Sequence, residues 1–261
     1  MVGRWGSGKV RVVWLVVACL LVLVGSLAGI ALVMRSAMGL YTVSSCSMAP
    51  TLVEGDRVSA NKLAYRRESP MSGDIVVYYP ARGVLATIPK DAVFVHRVIG
   101  VPGNTIRVAR GYIRVGKREW GHQELKSALG GAKSIKFQAD GVFAEGKRVA
   151  PAQIAKALGE RPKAPVNVVP GRVYRNGNVL SEDYTAEDCD VDYPNERTDK
   201  ALIKKVDGVG VVKIPEGYVL LMGDNRNDAN DSRYQGLTPV GNVIGKVAAI
   251  LYPESRARSF E

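Results

Sequence analysis

AVFVHRVIGV, Ala92 to Val101, is a run of β-branched and apolar residues that stops at Pro102-Gly103. Val and Ile pack well on a pleated surface, and Pro-Gly is turn punctuation, so the run reads as a strand. The same grammar recurs in GDIVVYYP (Gly73–Pro80), NTIRVARGYIRVG (Asn104–Gly116), GYVLLMGD (Gly217–Asp224) and NVIGKVAAILY (Asn242–Tyr252). GRVYRNGNVLSEDY, starting at Gly171, holds Asn-Gly between two short runs, a hairpin signal. Together these predict a mostly β domain. Residues 119–164 differ. GHQELKSALG and APAQIAKALGE read as short helices, with Ala150-Pro151 a start and Gly159 an end. This piece is read as a small, partly helical insertion into the β domain.

The chain has 261 residues, enough for one large domain with an appendage, and is 46% apolar and 23% charged, within the globular range. Its net charge of +11 raises nucleic acid, an anionic membrane or plain solubility as explanations. The basic residues are scattered and only 7% of residues are aromatic, which argues against nucleic acid. Three cysteines (Cys19, Cys46, Cys189) without CxxC spacing give no disulfide framework or zinc site. Two histidines, His96 and His122, allow no HExxH motif, so neither metal nor cofactor is expected. His122, within the insertion, is expected at the surface.

The N-terminus points to the membrane. Val12 to Val33 carries no charge. At about 1.5 Å per residue such a helix crosses a hydrocarbon core of roughly 30 Å. It is longer than the 7–15 residues or so of a cleaved signal's apolar region. Arg4, Lys9 and Arg11 precede it, and only Arg35 follows closely. The positive-inside bias then puts residues 1–11 in the cytoplasm, 12–33 across the membrane and the domain from 41 to 261 on the outer face.

Just beyond lies SSCSMAPTL, Ser44 to Leu52. Alone, it reads most simply as a Ser-rich turn. A catalytic serine needs a group to take its proton and donors for the oxyanion. Cys46 is a rival nucleophile, but nothing local lowers its pKa.

Distant segments change the reading. In order, the chain carries S-x-S-M-x-P-T-L, G-D-I-V, R-V-I-G-x-P-G and G-D-N-R-(x)4-D-S-R, the last from Gly223 to Arg233. This series, behind an apolar anchor, resembles the type I signal peptidases, membrane-bound serine proteases that remove leader sequences from exported proteins. It covers roughly residues 41–104 and 174–252. The resemblance implies a β-rich catalytic domain against the outer face of a bacterial cell membrane. It implies Ser47 as nucleophile, and Ser45 as a hydroxyl donor to the oxyanion beside the Ser47 N–H. It further implies signal peptides bound as an extended strand, with small residues at the first and third positions before the cut. The apolar positions matching the pocket walls are Val43, Met48, Leu52, Phe94 and Val95, with Tyr41 bordering the third-position pocket. Arg97, Arg226 and Arg233 would hold aspartates and turns, and Gly223, Asp224 and Asn225 would form a turn.

The sequence departs from the family at the base. Most bacterial members place a lysine just before the Arg of the RVIG box, where this chain has His96. Histidine starts near pKa 6.5 rather than about 10.4, so it suits base chemistry near neutrality. A Ser–His pair also occurs in the family's endoplasmic-reticulum and archaeal branch. The resemblance implies Asp231 as the carboxylate, completing a Ser47–His96–Asp231 triad. Ala229 stands where Lys-type members keep a small hydroxyl residue. Lys90 is the alternative base. Two other functions stay open: a processing peptidase dedicated to one secretion or pilus system, and an inactive membrane-anchored binding protein.

Overall fold

The central element is IVVY, Ile75–Tyr78 (β3), whose four side chains are all buried. A strand buried on both faces reads as a continuous apolar run. The computed structural model describes residues 7–80 and 92–260, with side chains described from Val12 apart from residues 28 and 30–36. An N-terminal helix, Ser7–Ala37 (α1), leads directly into Met38–Thr42 (β1). The described apolar side chains of α1, including Trp14, Leu21 and Val22, are exposed. Among the described residues no helix is long and apolar enough to cross a membrane.

The protein is mostly β. Its largest sheet is antiparallel and runs β1, Arg57–Asn61 (β2), Val243–Tyr252, β3, Phe94–Gly100 (β4), Tyr218–Met222 and Thr238–Pro239; Arg258–Ser259 also pairs with Val243–Tyr252. β1 therefore lies at one edge. Ile75 and Val77 point into a core with Met48, Leu52, Val58 and Val247. Val76 and Tyr78 point the other way, against Val98, Val219 and Leu221. This is the period of two expected of a pleated strand.

The turn after β4 shows how composition becomes geometry. Pro102 and Gly103 occupy its centre, Asn104 N–H donates to the Val101 carbonyl at 3.0 Å, and Gly103 has φ +84. Proline presets the first central residue and glycine accepts the left-handed second one. The chain then enters a five-stranded sheet made of Asn178–Val179, Arg172–Arg175, Thr105–Ala109, Val209–Lys213 and Ile203–Val206. Asn176 and Gly177, both at positive φ, close its hairpin, the combination a tight β-hairpin favours.

Two three-stranded sheets and the helices His122–Ala128 (α2) and Pro151–Ala157 (α3) enclose a separate core of Ile113, Leu125, Ile135, Phe137, Val142 and Ile154. Pro151 starts α3, where its missing N–H costs no intrahelical bond. His122 is not at the surface but 1% exposed. Its Nε2 meets Asp188 at 2.7 Å and its ring lies 4.2 Å from that of Phe137. A carboxylate distant in sequence partners the buried Nε2, which offsets part of the burial cost, while Nδ1 is buried without a hydrogen-bond partner.

Leu125 is fully buried in that core. Leu125→Ala is expected to remove about 2–5 kcal/mol of stability, read as a lower urea midpoint with an unchanged slope.

Candidate active site

Ser44 to Leu52 folds as a tight turn whose Met48, Thr51 and Leu52 point inward while Ser44, Ser45 and Cys46 stay outside. Met48 is 1% exposed and Leu52 is fully buried. Ala49 N–H donates to the Cys46 carbonyl and Leu52 N–H to that of Met48, each at 2.9 Å. This leaves Ser44, Ser45 and Cys46 exposed and Ser47 half-buried. The Ser45 and Ser47 hydroxyl oxygens stand 3.3 Å apart.

Two segments hold the turn, the Gly223–Asn225 loop and the C-terminal stretch. Asn225 donates from its backbone to the Ser47 carbonyl at 3.0 Å and from its side chain to the Cys46 carbonyl at 3.1 Å. Thr51 donates to Asp224 at 2.5 Å. Near the C-terminus, Arg258 donates to the Thr51 carbonyl at 2.7 Å, and Arg256 pairs with buried Asp56 at 2.9 Å while also reaching Thr51. Gly223 is demanded by close approach. A Cβ there would stand 2.5 Å from the Ser47 carbonyl oxygen and nearer still to the Ala229 Cβ.

His96 comes from β4, opposite Val76 of β3. It is 2% exposed, and its Nδ1 lies 2.8 Å from the Tyr78 hydroxyl. Its neighbour Arg97 turns to the other face, donating from Nε and Nη2 to the two Asp224 oxygens at 2.8 and 2.6 Å. Arg97 also lies over the Tyr184 ring, 4.0 Å from its centroid.

Asp231 is fully buried, and its oxygens accept from Arg233 Nε at 2.9 Å, Arg233 Nη2 at 2.8 Å and Gly223 N–H at 3.0 Å. It makes no hydrogen bond to His96; among the described residues Tyr78 is the side chain bonded to that ring. Asp231 therefore acts on His96 through space. Arg226, also buried, donates to the Gly223 carbonyl and pairs with Glu182.

Ser45, Cys46, Ser47, Phe94, His96 and Asp228 line one cavity of about 630 Å³, joined by Arg197, Asn227 and Tyr234. Ser47 and His96 thus open on the same space, without a hydrogen bond between them. Of the apolar residues expected at the pocket walls, Phe94 alone lines this cavity. Val43, Met48 and Leu52 are core residues, and Tyr41 and Val95 pack against that core. Their side chains were drawn inward by the same hydrophobicity that suggested a pocket. Lys90 lies outside the described residues.

Burial dominates the electrostatics. It pushes the His96 pKa down to about 4; Asp231 and Asp224 oppose the shift and Arg233 reinforces it. For Asp231 burial acts upward, but the charge and hydrogen bonds of Arg233, with His96 and Gly223 N–H, outweigh it and hold the carboxyl below its ordinary range. The hydrogen bond from Cys46 Sγ to Asp228, at 2.9 Å, raises the Cys46 thiol pKa, and burial adds to this. A thiol held protonated is a poor nucleophile.

Sequence comparison places these residues in a family. The signal peptidase, peptidase S26 family model matches residues 11–252. The chain belongs to this family, and so is a hydrolase of the signal peptidase I class. It is similar to a probable signal peptidase I-1 of Synechocystis, with 27% identity over 82% of this chain and 71% of that one. It is also similar to a signal peptidase I of Aquifex aeolicus, with 29% identity over 81% and 75% of the two chains. A solved signal peptidase I from Enterococcus faecalis aligns with 69% of this chain and 97% of its own, at 20% identity and a TM-score of 0.30.

The sequence reading passed over Tyr78, Thr51, Arg256 and Arg258. Tyr78 had one available signal: it belongs to a run predicted as a strand. Only the β3–β4 register shows that it shares a face with His96.

Two consequences are measurable. Gly223→Ala must displace the Ser47 carbonyl or Ala229; overpacking of this kind costs about 1–3 kcal/mol, and a misplaced reacting group loses roughly 100-fold in rate. A single-turnover assay on the folded variant is expected to show that loss. The buried histidine has its own signature. Its ordinary pKa is 6.5 and its folded value about 4, so on acidification the unfolded state takes the proton first. The stability present above pH 6.5 is then lost as pH falls toward about 4, amounting to about 3 kcal/mol. Urea midpoints against pH are expected to show this slope in the wild type and not in His96→Gln. Asp231, its folded pKa lowered, contributes its own loss only below its ordinary 3.8.

Proposed function

We propose that this chain is a membrane-anchored serine endopeptidase that removes signal peptides from exported preproteins after small-x-small sites. Ser47 is the nucleophile and His96 the general base. The observation that carries this is the shared cavity: the half-buried Ser47 and the buried His96 open on one space beside Ser45. Membership in the signal peptidase family supplies the substrate class.

The chemistry follows from those positions. His96, neutral above about pH 4, accepts the Ser47 proton as the oxygen attacks the scissile carbonyl. The tetrahedral oxyanion is met by the Ser45 hydroxyl and the Ser47 N–H. The imidazolium feels the negative charge of Asp231 through space, favourable where the medium is dry. His96 then returns the proton to the leaving amine, and water repeats the sequence on the acyl-enzyme. No metal or cofactor is required.

The substrate would lie as an added strand along the free edge of β1, which carries Tyr41. Backbone pairing gives affinity to such a strand and pockets give selectivity. Phe94 projects into the cavity and limits the side chain that fits before the cut, while Val43, Met48, Leu52 and Val95 fix the turn and β4 from behind. Residues 12–33 would form the membrane anchor, with 1–11 in the cytoplasm and 41–261 outside. The scattered basic residues suit a domain resting on anionic lipid, where each adds about 1 kcal/mol.

The test is cleavage of a standard preprotein in detergent. Ser47→Ala is expected to be inactive, His96→Ala to lose about 10²–10⁴-fold, and Ser45→Ala about 10²–10³-fold in kcat. Full activity in His96→Ala would move the base to Lys90. Wild-type failure on several preproteins, with activity on one dedicated substrate, would replace the general peptidase by a specialised one.

A further inference from the structure

We propose that Tyr78 is the positioning residue of the general base, its hydroxyl accepting from His96 Nδ1–H and so holding the ring with Nε2 free to take the Ser47 proton. The inference rests on the reading of His96 as the base. It adds that a neutral phenol stands where a triad would place a carboxylate.

The register of two strands carries it. β3 and β4 pair with Val76 opposite His96 and Tyr78 opposite Phe94. Tyr78 and His96 are therefore diagonal neighbours on one face, a separation of about 7–8 Å that a long aromatic side chain spans. Tyr78 does so, its Oη reaching Nδ1 at 2.8 Å with the rings 5.8 Å apart. Both residues are buried, at 1% and 2% exposure, which keeps water from replacing either partner. The carboxylate that might compete is already engaged: Asp231 accepts from Arg233 and Gly223 N–H.

With Nδ1 occupied, Nε2 is the ring nitrogen left for the reaction. The groups facing His96 are Tyr78 from β3, Phe94 from its own strand, and Asp224, Asp231 and Arg233 from the segment after Met222. Ser47, Asp228, Arg197 and Tyr234 lie across the shared cavity. Burial and the charge of Asp231 keep the Tyr78 phenol protonated far above its ordinary range. It therefore supplies a hydrogen-bonding hydroxyl at every working pH, but no charge.

This has a directional consequence. A group that accepts from Nδ1–H stabilises imidazolium more than imidazole. Deleting it lowers the His96 pKa further, whereas deleting a group that donates to Nδ1 raises it. The sign of the shift therefore reports which way the hydrogen bond runs.

The experiment compares full-length wild type, Tyr78→Phe and His96→Ala in detergent on one preprotein, with kcat, KM and the acid limb of kcat/KM measured for each. Phenylalanine keeps the ring, and matching thermal midpoints establish that the variant folds. For Tyr78→Phe, kcat is expected to fall about 10–100-fold, KM to stay, and the acid limb to move to lower pH. In the wild type, ¹⁵N NMR of labelled histidine is expected to show His96 protonated at Nδ1. A Tyr78→Phe variant with wild-type kcat and pH profile, an acid limb moved upward, or an Nε2–H tautomer would each overturn the assignment while leaving His96 as the base. A fully active His96→Ala would remove the base itself, and Tyr78 with it.

Discussion

Asp224 is fully buried and accepts from three donors on two distant segments: Arg97 Nε and Nη2, and the Thr51 hydroxyl. The rest of the site depends on this junction. A buried carboxylate is costly unless paired and hydrogen-bonded. Here the pairing is bidentate, the geometry in which a guanidinium fixes orientation as well as charge. Arg97 follows His96 on β4, so anchoring one side chain below the sheet sets the other above it. Thr51 follows Ser47 by four residues in the turn. A single carboxylate thus references the proposed base and the proposed nucleophile to one point, although neither touches it.

The same dry interior sets three protonation states at once. It holds His96 neutral, Asp231 ionised and Tyr78 protonated. The outcomes differ because the partners differ. Asp231 has the guanidinium of Arg233 within hydrogen-bonding distance, so its charge survives burial. His96 has a phenol, so desolvation prevails. Environments that push neighbouring titratable groups apart in this way are how a fold assigns acid and base roles. A lysine at position 96 would need far more desolvation to reach neutrality, since it starts near 10.4. Histidine starts near 6.5, so it needs no desolvation to be neutral at pH 7, and burial only extends that range downward.

The strands were legible because apolar runs bounded by Gly, Pro and Asn declare themselves locally. Pro102-Gly103 and Asn176-Gly177 formed the turns their residue types demand. Positions, by contrast, were harder to assign. Met48 and Leu52 looked like pocket walls and proved to be core, because hydrophobicity marks both and a short turn has no periodicity to separate them. His122 looked like a surface residue because its neighbours are polar, while the carboxylate that allows its burial, Asp188, lies 66 residues away. Tyr78 was missed for a related reason: strand pairing, not spacing along the chain, brings it to His96.

The turn around Ser47 illustrates why such a site needs support from far outside its motif. Its backbone carbonyls at Cys46, Ser47 and Thr51 accept hydrogen bonds from Asn225, Arg256 and Arg258. Two of those three donors lie beyond residue 252, where the family match stops. Oxyanion donors act only if fixed before the charge appears. Ser45 and the Ser47 N–H sit on a loop, the kind of element least able to fix itself. The Gly223–Arg233 loop on one side and the C-terminal stretch around Arg256 and Arg258 on the other clamp the turn's carbonyls. The proposed oxyanion site therefore depends on the Gly223–Arg233 loop and the C-terminal stretch as much as on the nine residues that display it.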